Sequence, residues 1–371
     1  MKKRIFSLIA VMSCAAVAAT CLSACDTLYK NSNSATVGET EWEAAFAAEN
    51  FENCTAAATV AIEVSGTRTY TQDSDNQDDE ENEPETITEP FTERTESGSI
   101  IRVDNASDAW RMDMYTSLDN GTERSAVAGA RVGDANYLYT LGSDGIDWTV
   151  ESVFDYEYPD VRLAELFGGF AGAYPQFTYK NGIYRASDFK WEMLEQNFGE
   201  EMTFDAQVYF NGDKQCERLS FETCIDVPAE EFPSSSYVID EVYISCEVAL
   251  SDYGTTNVSL PARPAGLINV KDVVGEYVSS YIEYEQDGEP VRVDVEDAGQ
   301  EKVRIIINSD YSVYIDSKTA VVPGQLKWTI EGDTIYVDMQ YDSTELTLNY
   351  EGDYLTLSMG QGQTLYFEKV S

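Results

Sequence analysis

The most informative absence in this 371-residue chain is histidine, which does not occur at all. Histidine activates the nucleophile of many serine and cysteine hydrolases, serves as a general base near neutral pH and ligates zinc. Those chemistries are therefore excluded. Carboxylate pairs and oxygen-ligated calcium stay open to a chain with 67 acidic residues, but no spacing singles out a pair or a loop. We therefore predict a non-enzymatic protein with no catalytic residues, no metal and no cofactor.

Basic residues are also scarce, because 24 Lys and Arg stand against 67 Asp and Glu, a net charge of −43. Such an acid excess repels nucleic acid and anionic lipid head groups, so neither is expected as an electrostatic partner. Aromatic residues make up 12% of the chain, including 24 Tyr. This composition excludes global disorder and favours extensive β-structure.

The first 25 residues have the pattern of an export signal. Met1-Lys2-Lys3-Arg4 is basic, residues 5–24 carry no charge, and Leu22-Ser23-Ala24-Cys25 follows. This box resembles the lipobox of bacterial lipoproteins, whose cysteine sulfur receives a diacylglyceryl group and whose preceding segment is cleaved. The resemblance implies a signal peptide over 1–24, lipidation of Cys25 and a place at the extracytoplasmic face of the cell membrane. A membrane-spanning helix is the alternative, since about 20 apolar residues can cross a bilayer.

Residues 25–39 are polar and lack apolar periodicity, so they are predicted to be a flexible tether. A first domain is predicted over 40–262, beginning with a helix that Thr40 caps. An acidic stretch at 72–90, with eight acids between 73 and 85, is predicted to be a disordered loop. Ser187 is predicted to cap a second helix, whose apolar stripe comprises Trp191, Leu194 and Phe198.

Several stretches of 40–262 carry a family resemblance: WEAAFAAENFENCTAAATVAIEV, WRMDMYTS, NYLYTLGSDGIDW, FTYKNGIY and SDYGTTNVSLP. Their order of helix, meander, helical excursion and meander resembles the LolA-like lipoprotein carriers and their actinobacterial lipoprotein relatives. The resemblance implies a curved antiparallel half-barrel with helices packed on its concave side. It also implies an apolar groove that binds an acyl chain or another amphiphile, and it supplies no catalytic residues.

Residues 263–269 are predicted to be a linker, and 270–371 to be a second domain. That domain is predicted to have eight or nine short strands, with turns about every 8–12 residues, as in a closed up-and-down barrel. Its pattern of short strands and turns resembles the small lipocalin-like domain at the end of many gut-bacterial lipoproteins. The resemblance implies a structural signature, with Lys369 over the Tyr277 ring: Gly275, Tyr277, Trp328 and Lys369. We expect a filled barrel, with these bulky residues inside: Ile305, Ile307, Tyr314, Trp328, Tyr336 and Leu365.

Three of the seven cysteines lie in the first 25 residues, and four remain: Cys54, Cys216, Cys224 and Cys246. Four cysteines in an exported chain permit two disulfides in three connectivities. Cys216 and Cys224 share a predicted strand and lie about 26 Å apart, so they are not expected to pair. A bond between Cys216 and Cys246 is opposed by the apolar alternation of their strands. The pairing stays open, and free buried thiols are the alternative.

These patterns together predict a mainly β protein, with an α+β half-barrel followed by a small barrel. The leading functional hypothesis is a lipid-anchored, non-catalytic binding protein for an acyl chain or another amphiphile. The alternative is a structural or interaction module that meets a protein or glycan partner. A carboxylate-dependent glycan hydrolase is the third hypothesis, and it would need two acids about 5–10 Å apart in a cleft.

Overall fold

A computed structural model describes residues 34–72, 85–118, 121–190, 203–227, 237–316, 326–338 and 345–370. Within these ranges the chain is mainly β, with a large curved antiparallel sheet and a closed eight-strand barrel. The predicted fold class is therefore confirmed. The predicted signal peptide, Cys25 and residues 73–84 of the predicted acidic loop lie outside the described residues.

The chain divides into two compact units. The first comprises the described residues up to Ala128, together with Thr140–Trp148 and Asp160–Leu260. The second comprises Gly129–Tyr139, Thr149–Pro159 and the chain from Pro261 onward. The second unit therefore takes in two segments that the sequence had assigned to the first domain, as well as the predicted linker.

Eleven strands form the large sheet: β1 (Asn53–Gln72), β2 (Glu85–Asp104), β3 (Ala109–Leu118), β4 (Gly121–Val132), β5 (Ala135–Leu141), β6 (Trp148–Val153), β7 (Thr178–Lys180), β8 (Ile183–Phe189), β9 (Phe204–Phe210), β10 (Cys216–Asp226) and β11 (Tyr237–Ser251). Their order is β6-β5-β4-β3-β2-β1-β11-β10-β9-β8-β7. All neighbours described pair antiparallel, and the pairing of β1 with β11 joins strands that are far apart in the sequence.

Short helices accompany this sheet: α1 (Glu39–Ala45), a 3-10 helix (Ala48–Phe51), α2 (Leu163–Phe167) and a second 3-10 helix (Gly168–Gln176). The predicted cap of α1 is wrong by two residues. Gly38 precedes the helix, and its N–H donates to Oε2 of Glu41 at 2.9 Å. Ser187 does not cap a helix either, because it lies within strand β8. The predicted stripe of Trp191, Leu194 and Phe198 lies outside the described residues.

The predicted flexible tether ends earlier than expected. Ser34–Val37, here called the strap, is held against the sheet by backbone and side-chain hydrogen bonds. Ser34 and Val37 are buried, with 5% and 2% of their surface exposed. The prediction fails here because the strap has no periodicity of its own, and its order comes from partners about 150 residues away in the chain.

The predicted acidic loop is also shorter than expected. Strand β1 continues to Gln72, which pairs with Glu85 at the start of β2, so residues 85–90 are strand and not loop. Alternating threonine and larger side chains in this part of β2 support the pairing despite the nearby acids. The two strands form a hairpin of 20 residues on each side.

Nine strands and one short helix, α3 (Val270–Val273), follow: β12 (Gly275–Gln286), β13 (Glu289–Asp294), β14 (Arg304–Ile307), β15 (Ser312–Asp316), β16 (Leu326–Glu331), β17 (Thr334–Asp338), β18 (Glu345–Glu351), β19 (Tyr354–Gly360) and β20 (Gln363–Lys369). The ring closes because β12 pairs with β20. The first half of β12 pairs with β14 and its second half with β13, so β13 lies outside the eight-strand ring.

The barrel interior is filled by a closely packed cluster: Phe154, Val270, Val273, Tyr277, Ile305, Ile307, Val313, Leu326, Trp328, Ile335, Val337, Leu348, Leu355 and Phe367. Three of the six residues expected inside are there, namely Ile305, Ile307 and Trp328, and Leu365 packs partly buried against the cluster. Tyr314 is 46% exposed and Tyr336 is half-buried, since their neighbours Val313, Ile335 and Val337 take the inward positions. Side chains alternate along a strand, so an inward valine turns the adjacent tyrosine outward.

Candidate functional site

A group of rings, here called the aromatic cluster, fills the space between the helices and one face of the large sheet: Trp42, Phe46, Phe170, Phe177, Tyr184, Phe189, Phe210 and Phe221. Trp42 is fully buried, and its Nε1 donates to the carbonyl oxygen of Phe170 at 2.7 Å. Its ring centroid lies 5.0 Å from that of Phe177 and 5.1 Å from that of Phe210. These distances suit tilted aromatic packing and leave this part of the face covered.

The same face of the sheet continues beyond the aromatic cluster as a half-buried apolar surface. This surface, here called the apolar strip, comprises Ile62, Val64, Phe91, Ile225, Ile239 and Val242. On its β2 side it is bordered by the exposed Thr95 and Glu93, which oppose Ile62 and Val64. The strand register places these residues together, because directly opposed residues of an antiparallel pair lie on one face. Val64 pairs with Val242, which pairs with Ile225. Four residues nearer the helices along both strands, Cys246 opposes Phe221 of the aromatic cluster.

A β-bulge shapes the apolar strip. The register of β1 against β11 shifts between Ser65 and Gly66, so that Gly66 pairs with Ile239 on one side and with Phe91 on the other. A Cβ atom at Gly66 would lie 2.0 Å from the carbonyl oxygen of Val238. The close approach of the two backbones therefore requires glycine here.

The apolar strip ends at an ion pair. Nη2 of Arg68 lies 2.5 Å from Oε1 of Glu89, and the two side chains are 43% and 36% exposed. Arg68 and Glu89 oppose one another in the register, two residues beyond Gly66 and Phe91. The strip therefore runs from an aromatic end at the helices to a charged end on the hairpin.

The four remaining cysteines are free thiols in the structure. None of the disulfides that the sequence permits forms among them. Cys54 and Cys216 lie on the two strands that flank β11. Two strand spacings separate them by about 10 Å. A disulfide requires Cα atoms within about 7 Å. Cys246 opposes Phe221, five residues along β10 from Cys216, and Cys224 is exposed and opposes Tyr243.

Burial makes these thiols poor nucleophiles. Burial, with a smaller contribution from Asp252, raises the pKa of the Cys54 thiol to about 12. Burial also raises the pKa of Cys216. A reactive or metal-binding cysteine needs the opposite shift, because the thiolate is the active form. In the part of the chain that the structure describes, no group of three or more Cys, Asp or Glu could hold a metal ion.

Two residues of the predicted barrel signature, Tyr277 and Lys369, lie together at one end of the second unit. Tyr277 is fully buried and donates its hydroxyl hydrogen to the carbonyl oxygen of Val273 at 2.8 Å. Lys369 pairs with Tyr277 across β12 and β20, and its Nζ lies 5.7 Å from the tyrosine ring centroid. The same Nζ donates to the carbonyl oxygen of Asp272 at 2.6 Å. Lys369 thus covers the ring while binding a carbonyl near the end of α3.

The other two signature residues occupy different positions. Gly275 begins β12 with a φ of 158°, and it pairs with Ile307. Trp328 lies in the barrel core, and its Nε1 donates to the carbonyl oxygen of Asn308 at 3.0 Å. Trp328 also meets Phe154, with centroids 6.4 Å apart. Sequence reasoning missed Phe154, which lies more than a hundred residues before the barrel and carries no local signal for this role.

The described carboxyl groups whose pKa departs from its ordinary value are all shifted downward. The Lys214 ammonium lowers the pKa of Glu41, and the Arg304 guanidinium lowers that of Glu276. Hydrogen bonds from Ser107 lower the pKa of Asp104. These groups are held as carboxylates, whereas a general acid requires a raised pKa. Their partners are neighbouring side chains and backbone groups at the surface.

None of the described helices is long and apolar enough to cross a membrane. A scan against protein-family models finds no match to this chain, and a search of curated proteins finds none.

Proposed function

We propose that this protein is a non-catalytic lipoprotein, anchored through Cys25 at the extracytoplasmic face of the cell membrane, that binds an acyl chain or another amphiphile. The single observation that carries the anchor is the Leu22-Ser23-Ala24-Cys25 box after a basic start and an uncharged segment. Two acyl chains hold a protein stably on a membrane, whereas one gives marginal binding. A diacylglyceryl group on Cys25 would therefore suffice as the anchor.

Expression in a bacterial host with labelled palmitate tests the anchor. The wild-type chain should incorporate the label and fractionate with membranes, and globomycin should block its cleavage. The Cys25→Ser variant should lose the label. The Cys54→Ser variant is the matched control, since it removes a cysteine that is buried in the fold. Equal labelling of wild type and Cys25→Ser would refute the anchor.

The apolar strip is the feature that favours binding of an acyl chain. It continues the face of the aromatic cluster, and from Ile62 to the ion pair at Arg68 it runs for about 20 Å along β1. That length accommodates one acyl chain, since each leaflet of a bilayer core is about 15 Å thick. The Arg68–Glu89 pair at its charged end could receive a polar head group.

Uptake of a fluorescent fatty acid by the delipidated chain tests the ligand. Val64→Glu puts a charge in the apolar strip, and the neighbouring Ser65→Glu puts the same charge on the opposite face of β1. We expect Val64→Glu to abolish uptake and Ser65→Glu to retain it. Mass spectrometry of a solvent extract provides the second readout. A wild-type chain that takes up no probe and yields no amphiphile would refute ligand binding.

A second candidate is an interaction module for a protein or glycan partner, and a specific hairpin favours it. Ile146, between β5 and β6, is 77% exposed. Its turn is held by Asp144, whose Oδ1 accepts from the N–H of Ile146 at 3.0 Å and of Asp147 at 3.2 Å. An apolar side chain on a fixed turn suits a partner pocket. Photo-crosslinking from position 146 in cells should then capture one defined partner, and a smear of products would argue against it.

A further inference from the structure

The strap fixes the point at which the chain leaves the first unit. The N–H of Ser34 donates to the carbonyl oxygen of Gly182 at 2.6 Å, and its Oγ accepts from the N–H of Phe210 at 2.9 Å. The Tyr179 hydroxyl donates to the Ser34 carbonyl oxygen at 3.1 Å. Val37 is held by Tyr184, whose hydroxyl oxygen lies 2.6 Å from its N and 2.7 Å from its O.

This exit point lies at one end of the long strands. Gly182 belongs to the β7–β8 turn, and Phe210 ends β9. Phe210 opposes Cys216, and by register this level of the sheet continues through Ser251 to Thr55 near the start of β1. Tyr70, near the other end of β1, lies about 50 Å away along the strand. We call the two ends the strap end and the hairpin end.

Chain length then limits the distance from the strap end to the anchor. Nine positions separate Cys25 from Ser34. A fully extended chain spans at most about 3.6 Å per residue, so Ser34 lies within about 30 Å of the lipidated residue. The hairpin end is farther from Ser34 than this segment can reach.

Charged residues also differ between the strap end and the hairpin end. Exposed Lys180 and Arg185 lie beside the exit point on β7 and β8. Lys214 lies there in an ion pair with Glu41, and the exposed acids Glu39, Glu43 and Asp213 are nearby, so the bases lie apart from these acids only along β7 and β8. Eight acids between 73 and 85 follow directly on the last residue of β1. An anionic membrane surface attracts juxtamembrane bases and repels acids. Tyr179, 39% exposed next to Lys180, is the type of aromatic residue that favours the membrane–water interface.

From the fixed exit, the short reach and the charge distribution, we propose that the first unit stands end-on, with its strap end against an anionic lipid surface. Tyr179, Lys180 and Arg185 contact the head groups, and the hairpin end points away from the membrane. This inference rests on the proposed lipid anchor. It assigns to β7 and its turn a surface that binds the bilayer itself, although the whole chain is strongly acidic.

Photo-crosslinking in reconstituted vesicles tests the orientation. Benzoylphenylalanine replaces Tyr179 in one full-length lipidated variant and Tyr70 in a matched one, since the two tyrosines are 39% and 43% exposed. The vesicles contain phosphatidylcholine with phosphatidylglycerol. We expect severalfold more covalent lipid adduct at position 179 than at position 70, and a lower yield at 179 when Lys180→Glu and Arg185→Glu are added.

Two outcomes separate the orientation from the anchor on which it depends. Flotation with the vesicles reports the anchor alone. If the wild-type chain fails to float, the anchor is refuted and the orientation falls with it. If the chain floats but position 70 gives as much adduct as position 179, the end-on orientation is refuted while the anchor stands.

Discussion

The two compact units bury very different side chains. The first packs the eight rings of the aromatic cluster between short helices and the sheet. In the barrel, ten of the fourteen core residues are aliphatic. Short helices cover a curved sheet unevenly. A few large aromatic rings can fill the space between them, because each ring buries a large area. A closed barrel surrounds its interior on all sides, and branched aliphatic residues on alternate positions suffice.

The units are alike in another respect, since each is completed by a segment that is distant in the sequence. The strap closes the first unit through Tyr184 and Phe210. Phe154 joins the barrel core, and Glu157 accepts a hydrogen bond from the Tyr311 hydroxyl at 2.7 Å. Neither unit can therefore be cut out at the predicted linker without loss. Four variants test how far the two cores differ.

Trp42→Ala should have the largest effect. It removes a fully buried ring and leaves the carbonyl oxygen of Phe170 without this donor. We expect a loss of about 3–5 kcal/mol in the free energy of unfolding of the first unit. Urea denaturation followed by circular dichroism measures it. Trp148→Ala, at a half-buried ring in the same unit, is the control and should cost less. Equal losses would contradict the central role of Trp42.

Phe154→Ala should destabilise the barrel, even though this residue precedes it by more than a hundred positions. Loss of a buried phenylalanine costs about 3 kcal/mol or more. The measurement is urea denaturation of the full chain, with hydrogen–deuterium exchange of the barrel strands as the readout. Val132→Ala, at a position 52% exposed, is the control. A barrel transition unchanged by Phe154→Ala would show that residues 261–371 form their core alone.

Alkaline pH should weaken the first unit through Cys54. The folded pKa of about 12 lies above the ordinary value of 9.0. The unfolded chain therefore loses its proton first, so the stabilising contribution is complete below pH 9 and is lost as pH rises toward 12. The slope is about 1.4 kcal/mol per pH unit for one such group. Cys54→Ala should flatten this part of the profile, and an unchanged profile would refute the assignment.

The smallest effect is expected at the barrel end. Lys369→Met removes the cation above Tyr277 and the hydrogen bond to Asp272, while keeping much of the aliphatic length. We expect a loss of about 0.5–1 kcal/mol, as for an exposed cation–π contact. Thermal unfolding measures it. Lys369→Arg should retain most of the stability, and a loss equal to that of Lys369→Met would show that charge is not what matters there.

The sequence predicted those parts of the fold that repeat locally. Alternation in β1 and the short strands with glycine turns after Gly275 identified both β regions, and the barrel closes as expected. The inward or outward direction of single residues was less certain. Tyr314 and Tyr336 were expected inside because of their size, whereas the register turns them outward. Size indicates what can fill a core, but alternation decides which neighbour does.

The position of the apolar strip could not be predicted from the sequence. The family resemblance implied an apolar groove, yet the apolar strip combines residues from β1, β2, β10 and β11, which meet only through the register. The bulge at Gly66 adds a shift that no local pattern reveals. The strap was expected to be a tether, because its polar residues gain their partners only in the folded unit.

The sequence alone determined the absence of histidine chemistry, the acidic charge, the Leu22–Cys25 stretch that motivates the proposed anchor and the alternation that makes the protein mainly β. Each of these is written in residue types or in spacings of a few positions. The tertiary structure decided which distant segments complete each core, which face stays apolar and where the chain leaves the first unit. Those features depend on contacts between residues a hundred or more positions apart, and such contacts follow from the free energy of the whole fold.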